Sequence, residues 1–316
     1  MSDYALVFPG QGAQEVGMGR DFYESYPSAR KVFEEADSAL GFALSEIIFS
    51  GPEDELKKTA LTQPAILTVS LAIWAALRSD KGISLSPAFV AGHSLGEYTA
   101  LAAAGAISVA DAVRLVHLRG SKMQEAVPLG KGAMVAVLGL DVDVVRDICS
   151  RACSHGVCEM ANYNAPGQIV ISGEASAVDV AAQMAKEAGA SKVIPLKVSA
   201  PFHCSLMRPV ADALREAFGS VSWSAPSFPL VSNVDAQPRR DIEDIKGRLL
   251  EQTYSPVLWL DSVKTMVDAG VQRFVEIGPG NVLTGLVKRC VKGVKGISLS
   301  KVQDLEGLLD FIGGDH

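Results

Sequence analysis

The chain has 316 residues, 48% of them apolar and 21% charged, with a formal net charge of −7. That length and balance suit a globular protein with a well-buried core, in one large domain or two. The negative charge argues against nucleic acid or an anionic membrane as the main partner, since either needs a basic footprint.

Tyr4-Ala5-Leu6-Val7-Phe8, ended by Pro9-Gly10, reads as a buried parallel strand. Helical spacing follows over 21–40, 52–58 and 62–78. The longest apolar run, 65–77, is too short to span a bilayer and reads as a buried helix. An apolar run at 87–91 predicts the next strand, with helices over 97–104 and 109–125 after it. Strands alternating with helices predict a parallel sheet covered on both faces.

The pattern changes near Pro128. Strands are expected at 132–138, 157–161, 168–172 and 192–198, and helices at 142–154 and 174–188. The turn-rich Asn162-Tyr163-Asn164-Ala165-Pro166-Gly167 joins the second and third strands. This β-α-β-β-α-β order is the split, ferredoxin-like unit. It predicts a small domain at 128–200 inserted into a larger one formed by 1–127 and 201–316. The larger pattern resumes with helices at 206–218, 242–252 and 256–269, strands at 229–232, 273–277 and 296–299, and a helix from about Asn281.

The five cysteines, Cys149, Cys153, Cys158, Cys204 and Cys290, are odd in number and match no disulfide framework. Cys149, Cys153, His155 and Cys158 lack the paired spacing of a zinc site, so no metal is expected. Cys149 and Cys153 suit a helix face as small buried residues. Free thiols, with no signal-peptide pattern before the first strand, predict a cytoplasmic protein. Lys288, Arg289, Lys292 and Lys295 read as a solvated basic surface.

Gly92-His93-Ser94-Leu95-Gly96 lies between the strand at 87–91 and the helix that follows. This is the G-x-S-x-G arrangement of a nucleophile elbow, with a serine on a turn too tight for bulky neighbours. The first free N–H groups of the next helix lie beside it and can hold developing negative charge.

A serine hydroxyl needs a base to take its proton. Of five histidines, His93 adjoins Ser94 on a tight turn and points apart from it. His117 lies within a helix, His155 in a surface turn, and His316 is the last residue. His203, just after the small domain's last strand, remains as the base. It stands where a cleft between domains would lie. No carboxylate between Ser94 and His203 stands out as its partner, so the group that fixes the imidazole is open at this level. Gly10 and Gly12 lack the following lysine of a phosphate loop, and Gly278-Pro279-Gly280 reads as a structural turn.

With these residues in hand, the chain resembles the malonyl-CoA:acyl carrier protein transacylases of bacterial fatty-acid synthesis. The resemblance runs through Phe8-Pro9-Gly10-Gln11-Gly12-Ala13-Gln14, Gly92-His93-Ser94-Leu95-Gly96-Glu97, Asn162-Tyr163-Asn164-Ala165-Pro166-Gly167-Gln168, Ala200-Pro201-Phe202-His203 and Glu276-Ile277-Gly278-Pro279-Gly280. It implies an α/β-hydrolase-like core with the inserted ferredoxin-like domain. It also implies that Ser94 carries the acyl group, that His203 is its base, and that the Gln11 and Leu95 amides form the oxyanion hole. By the same resemblance the Gln252 backbone carbonyl orients the histidine and Arg119 binds the substrate carboxylate. Read on its own, Arg119 is a solvated helix arginine. Phe202 narrows the pocket against a branched α-carbon, a position linked to malonyl preference in related polyketide acyltransferases.

The expected reaction is ping-pong transfer of malonyl from malonyl-CoA to the phosphopantetheine thiol of acyl carrier protein, with no metal or redox cofactor. An acidic carrier calls for a basic patch near the cleft, and a monomer is the default. The alternatives are a serine thioesterase or esterase, a free-standing polyketide-synthase acyltransferase, and a catalytically silent carrier-docking module.

Overall fold

Among the described residues, ten strands fall into two separate sheets. They are β1 (Tyr4–Phe8), β2 (Phe89–Gly92), β3 (Gly132–Leu138), β4 (Cys158–Ala165), β5 (Gln168–Glu174), β6 (Lys192–Pro195), β7 (Leu230–Val231), β8 (Pro238–Arg239), β9 (Arg273–Ile277) and β10 (Lys295–Leu299). The computed structural model describes residues 2–198 and 200–313. His316 and Ser199 of the histidine-motif segment lie outside the described residues.

The larger sheet runs β10-β9-β1-β2-β7-β8, parallel except for the last pair. All five residues of β1 are buried, because helices cover both faces of this central strand. The smaller sheet runs β4-β5-β3-β6 and is antiparallel throughout. The helices Val142–Ala152 and Ala175–Glu187 pack on it around a core of its own that includes Val135, Val137, Ile148, Ile169, Ile171 and Val178. The chain is thus mixed α/β, with one mainly parallel and one antiparallel sheet.

Several elements depart from the sequence reading. The helix expected over 21–40 is broken into Arg20–Ser25 and Pro27–Leu40, because Pro27 has no N–H to continue the first and suits the first turn of the second. A helix at Leu44–Ser50 and the short strand β8 carried too weak a pattern to be read. The turn-rich segment after Ala161 is strand: β4 continues to Ala165 and only Pro166-Gly167 turn. Pairing with β5 and a parallel bridge from Asn162 to Val257 hold it extended. The last strand of this sheet ends at Pro195 rather than 198, and the helix expected from 256 starts at Trp259. Cys149 is buried, but Cys153 is exposed just beyond the end of its helix. All five cysteines are free.

The apolar run at 65–77 is part of a longer element, Thr59–Ala75 followed by a π turn to Asp80. Those 22 residues are long and apolar enough to cross a membrane, yet 83% of the apolar window is packed inside the protein. A helix apolar on all sides is the expected core of a large domain. Pro64 removes the N–H that would bond the Ala60 carbonyl, and His117 Nδ1 takes that carbonyl at 2.9 Å. His117 therefore has a packing role, donating across two helices.

Candidate active site

Ser94 stands between β2 and the helix Gly96–Ala103, with φ of 54°. That left-handed conformation is costly for a residue with a Cβ and is held by its surroundings. Its amide donates to Asn233 Oδ1 at 2.8 Å. The flanking glycines are required by contact. A Cβ on Gly92 would lie 1.9 Å from Gly96 C, and one on Gly96 2.2 Å from Phe8 O.

His203 follows β6 on the turn Pro201-Phe202-His203 and also has a left-handed φ, 59°. The next residues are pinned to β4: Glu159 accepts from the Ser205 amide at 2.9 Å and from its hydroxyl at 2.6 Å. Ser94 Oγ lies 2.7 Å from His203 Nε2, and His203 Nδ1 lies 2.8 Å from the Gln252 carbonyl oxygen. A carbonyl only accepts, so Nδ1 carries the proton and Nε2 offers its lone pair to the serine hydroxyl. Burial, and then the Arg119 guanidinium, hold the imidazole neutral down to about 3.

Arg119 comes from the helix Val109–Glu125 and is only 1% exposed, so it is not the solvated helix arginine that its sequence context suggests. Its helix crosses Thr59–Ala75 closely at Gly120, where a Cβ would lie 2.5 Å from Thr59 O. The guanidinium donates through Nη1 to Gln63 Oε1 at 2.8 Å. Through Nη2 it donates to Ser94 Oγ at 2.9 Å and to Gln252 Oε1 at 2.8 Å. Its Nε is buried without a partner among the described residues. Burial pushes its pKa below the ordinary arginine value.

These residues line a cavity of about 110 Å³ that also takes in Gln11, Leu95 and Phe202, together with Met134 and Asn162 of the antiparallel sheet. All seven residues expected at the site are brought together around Ser94, Gln252 through its hydrogen bonds and the other six on the cavity wall. Among the described residues, neither the Gln11 nor the Leu95 amide is used in a turn hydrogen bond. His93 turns away from the hydroxyl. Its Nε2 meets Asn164 Oδ1 at 2.8 Å and its ring packs 5.7 Å from Trp259.

Four further polar residues join the site without a signal in the sequence: Gln63, Glu97, Asn162 and Asn233. Glu97 and Asn162 lie within sequence motifs, but no local pattern says that they face Ser94. Asn233 Nδ2 also donates to the Gly92 carbonyl at 2.7 Å, and Glu97 Oε1 accepts from the Asn233 amide at 2.5 Å. The Glu97 carboxylate is wholly buried, and burial pushes it up to about 8 against the lowering effect of its N–H donors and Arg119. The basic surface residues Lys288, Arg289 and Lys292 are exposed on the helix Val282–Cys290 and just beyond it.

A half-buried serine paired with a buried histidine and a neighbouring guanidinium defines a site for acyl chemistry, and known proteins bear this class out. Residues 5–305 match the acyl transferase domain family, and the chain belongs to that family. The malonyl CoA-acyl carrier protein transacylase of Bacillus subtilis (strain 168) is 46% identical over 307 residues, 97% of this chain and 96% of that one. The acyl-carrier-protein-S-malonyltransferase of Bartonella henselae superposes with a TM-score of 0.96 at 44% identity, covering 99% of this chain and 100% of that one. A malonyl-transacylase solved in complex with its type II PKS acyl-carrier protein superposes with a TM-score of 0.94 at 43% identity, covering 98% and 99%.

Proposed function

We propose that this chain transfers malonyl from malonyl-CoA to the phosphopantetheine thiol of acyl carrier protein through a malonyl-Ser94 intermediate. One observation carries the reading: a buried guanidinium, its Nε without a partner among the described residues, aimed at the serine that the imidazole activates. A hydrolase of neutral esters has no use for such a cation. An acyl group with a free carboxylate does, because a planar guanidinium grips a carboxylate with two parallel hydrogen bonds.

In the first half-reaction Ser94 Oγ attacks the thioester carbonyl while His203 Nε2 takes the hydroxyl proton. The oxyanion is held by the Gln11 and Leu95 amides, each worth about a hundredfold to a thousandfold in rate when well placed. The tetrahedral intermediate collapses, the coenzyme A thiolate leaves, and it takes its proton from His203. In the second half the carrier's thiol gives its proton to His203 and attacks malonyl-Ser94; the tetrahedral intermediate collapses to the malonyl thioester, and His203 returns the proton to the departing Ser94 oxygen. The Gln252 carbonyl keeps the imidazole in the tautomer both halves need.

We read the architecture as an α/β-hydrolase-like core of 1–127 and 201–316 carrying an inserted ferredoxin-like domain at 128–200. The β4-β5-β3-β6 order with two helices on one sheet supports that reading. The five free thiols support a cytoplasmic setting.

Intact-mass measurement after incubation with malonyl-CoA tests the reaction. A malonyl-sized adduct, absent in Ser94→Ala and much weaker with acetyl-CoA, is expected. Release of free malonate without an adduct would instead identify a hydrolase.

A further inference from the structure

Glu97 sits in the first turn of the helix after Ser94, yet its carboxylate does not serve that turn. It reaches two residues far along the chain. Oε1 accepts the Asn233 amide, 136 positions away, and Oε2 accepts Gln252 Nε2, 155 positions away. The same Gln252 nitrogen donates to the Ser94 carbonyl oxygen at 2.9 Å, while Gln252 Oε1 accepts from Arg119 Nη2 at 2.8 Å.

A glutamine amide has two unlike ends, one that only donates and one that only accepts. An ionised carboxylate and a backbone carbonyl both only accept, so together they require the nitrogen of Gln252 on their side. The oxygen is then left facing Arg119, where a cation needs an acceptor. Reversing the amide would set an NH₂ group against the guanidinium and leave Glu97 and the Ser94 carbonyl facing oxygen.

We infer that Glu97 is a positioning residue that fixes the direction of the Gln252 amide, and through it holds Arg119 in the pose that selects a carboxylate-bearing acyl group. This rests on the malonyl-transfer reading above. Glu97 touches no reacting atom; it acts through Gln252 on the guanidinium and on the backbone of the nucleophile. A carboxylate is needed because a glutamine at 97 would point one N–H at a donor already there.

Burial raises the Glu97 carboxyl to about 8, so its ionised, acceptor-only form is reached as the pH rises through that region. Arg119 approaches from the helix Val109–Glu125 and favours the charge, as do the two N–H donors. Asp235, from the turn after β7, opposes it. Tyr98 is the adjacent residue, and its pKa too is raised by burial. His203 is tied in through the Gln252 carbonyl and stays neutral. A protonated Glu97 must give up one of its acceptor positions, which frees Gln252 to reverse.

Single-turnover acylation of Ser94 by malonyl-CoA and by acetyl-CoA, in wild type and Glu97→Gln, tests the assignment. Loss of a hydrogen bond to a charged group corresponds to about ten- to a hundredfold. The variant should still form the malonyl adduct, with malonyl acylation about a hundredfold slower and acetyl acylation about tenfold slower. The malonyl preference then drops about tenfold, a change that loss of folded protein cannot produce. A variant that keeps the wild-type preference overturns the assignment.

If Glu97→Gln does not fold by circular dichroism, the wild type decides. Its malonyl preference should rise with pH through about 8, as Glu97 ionises. A preference that stays flat across that region overturns the assignment. A wild type that takes up no malonyl at all is a different result: it removes the functional reading on which the assignment rests.

Discussion

The Ser94 hydroxyl is shared between two residues of opposite character: Arg119 Nη2 donates to it at 2.9 Å and His203 Nε2 faces it at 2.7 Å. The guanidinium occupies the oxygen's lone pair while the imidazole receives its hydrogen. A substrate carboxylate on Arg119 would draw the cation off the serine and offset the charge that, after burial, disfavours protonation of His203. On the proposed roles, recognition of the acyl group and activation of the serine would be linked in one contact.

Replacing Arg119 separates the two substrates. Arg119→Ala should lower malonyl transfer by about a hundredfold or more, the cost of losing a buried charge-paired partner, and acetyl transfer far less. Arg119→Lys should not restore it, since an ammonium cannot copy the two-point grip. Steady-state kcat/KM for both thioesters measures this, and equal losses for the two would remove the carboxylate-binding role.

His203 has both a catalytic and a stability signature. His203→Ala should slow acylation of Ser94 by about a hundredfold to ten-thousandfold. Its folded pKa of about 3 lies below its ordinary value of 6.5. Between those values the unfolded chain binds a proton that the folded one refuses, so stability falls as pH drops below 6.5. Lowering the pH from 7 to 5 should therefore cost the wild type about 2 kcal/mol more than His203→Ala, read from urea midpoints. Identical pH dependence in the two proteins would mean that His203 titrates normally when folded.

Gly96 tests the elbow itself. A methyl at this position would lie 2.2 Å from the Phe8 carbonyl oxygen of the central strand, and backbone cannot swing aside as a long side chain can. Gly96→Ala should destabilise the fold by about 3 kcal/mol or more, measured by chemical denaturation. A stable variant with normal acylation would show that β1 and the elbow do not pack as described.

Phe202 bounds the cavity at 8% exposure, next to His203. Phe202→Ala should raise acylation by methylmalonyl-CoA relative to malonyl-CoA by about tenfold, the scale on which one methylene is discriminated in a filled pocket. Competition between the two thioesters, read by adduct mass, measures the ratio. An unchanged ratio places selectivity elsewhere on the wall.

Elements whose information is local can be read from the chain alone. β1 is a continuous apolar run closed by Pro-Gly, the helices Val109–Glu125 and Ile242–Gln252 show clear periodicity, and the Gly-x-Ser-x-Gly turn can be read from five residues. Ser94 follows from that turn and His203 from elimination among few histidines. The remaining features arise from contacts between distant segments. Strand pairing with β5 overrode the turn-forming residues of 162–165, and helix crossing at Gly120 turned a nominally solvated arginine into the most enclosed cation of the site. Gln252 meets Arg119 from 133 positions away and the Ser94 carbonyl from 158. Contacts across such separations leave no period or spacing in the chain. They exist because two sheets and their covering helices close around one cavity, where each buried donor must find an acceptor.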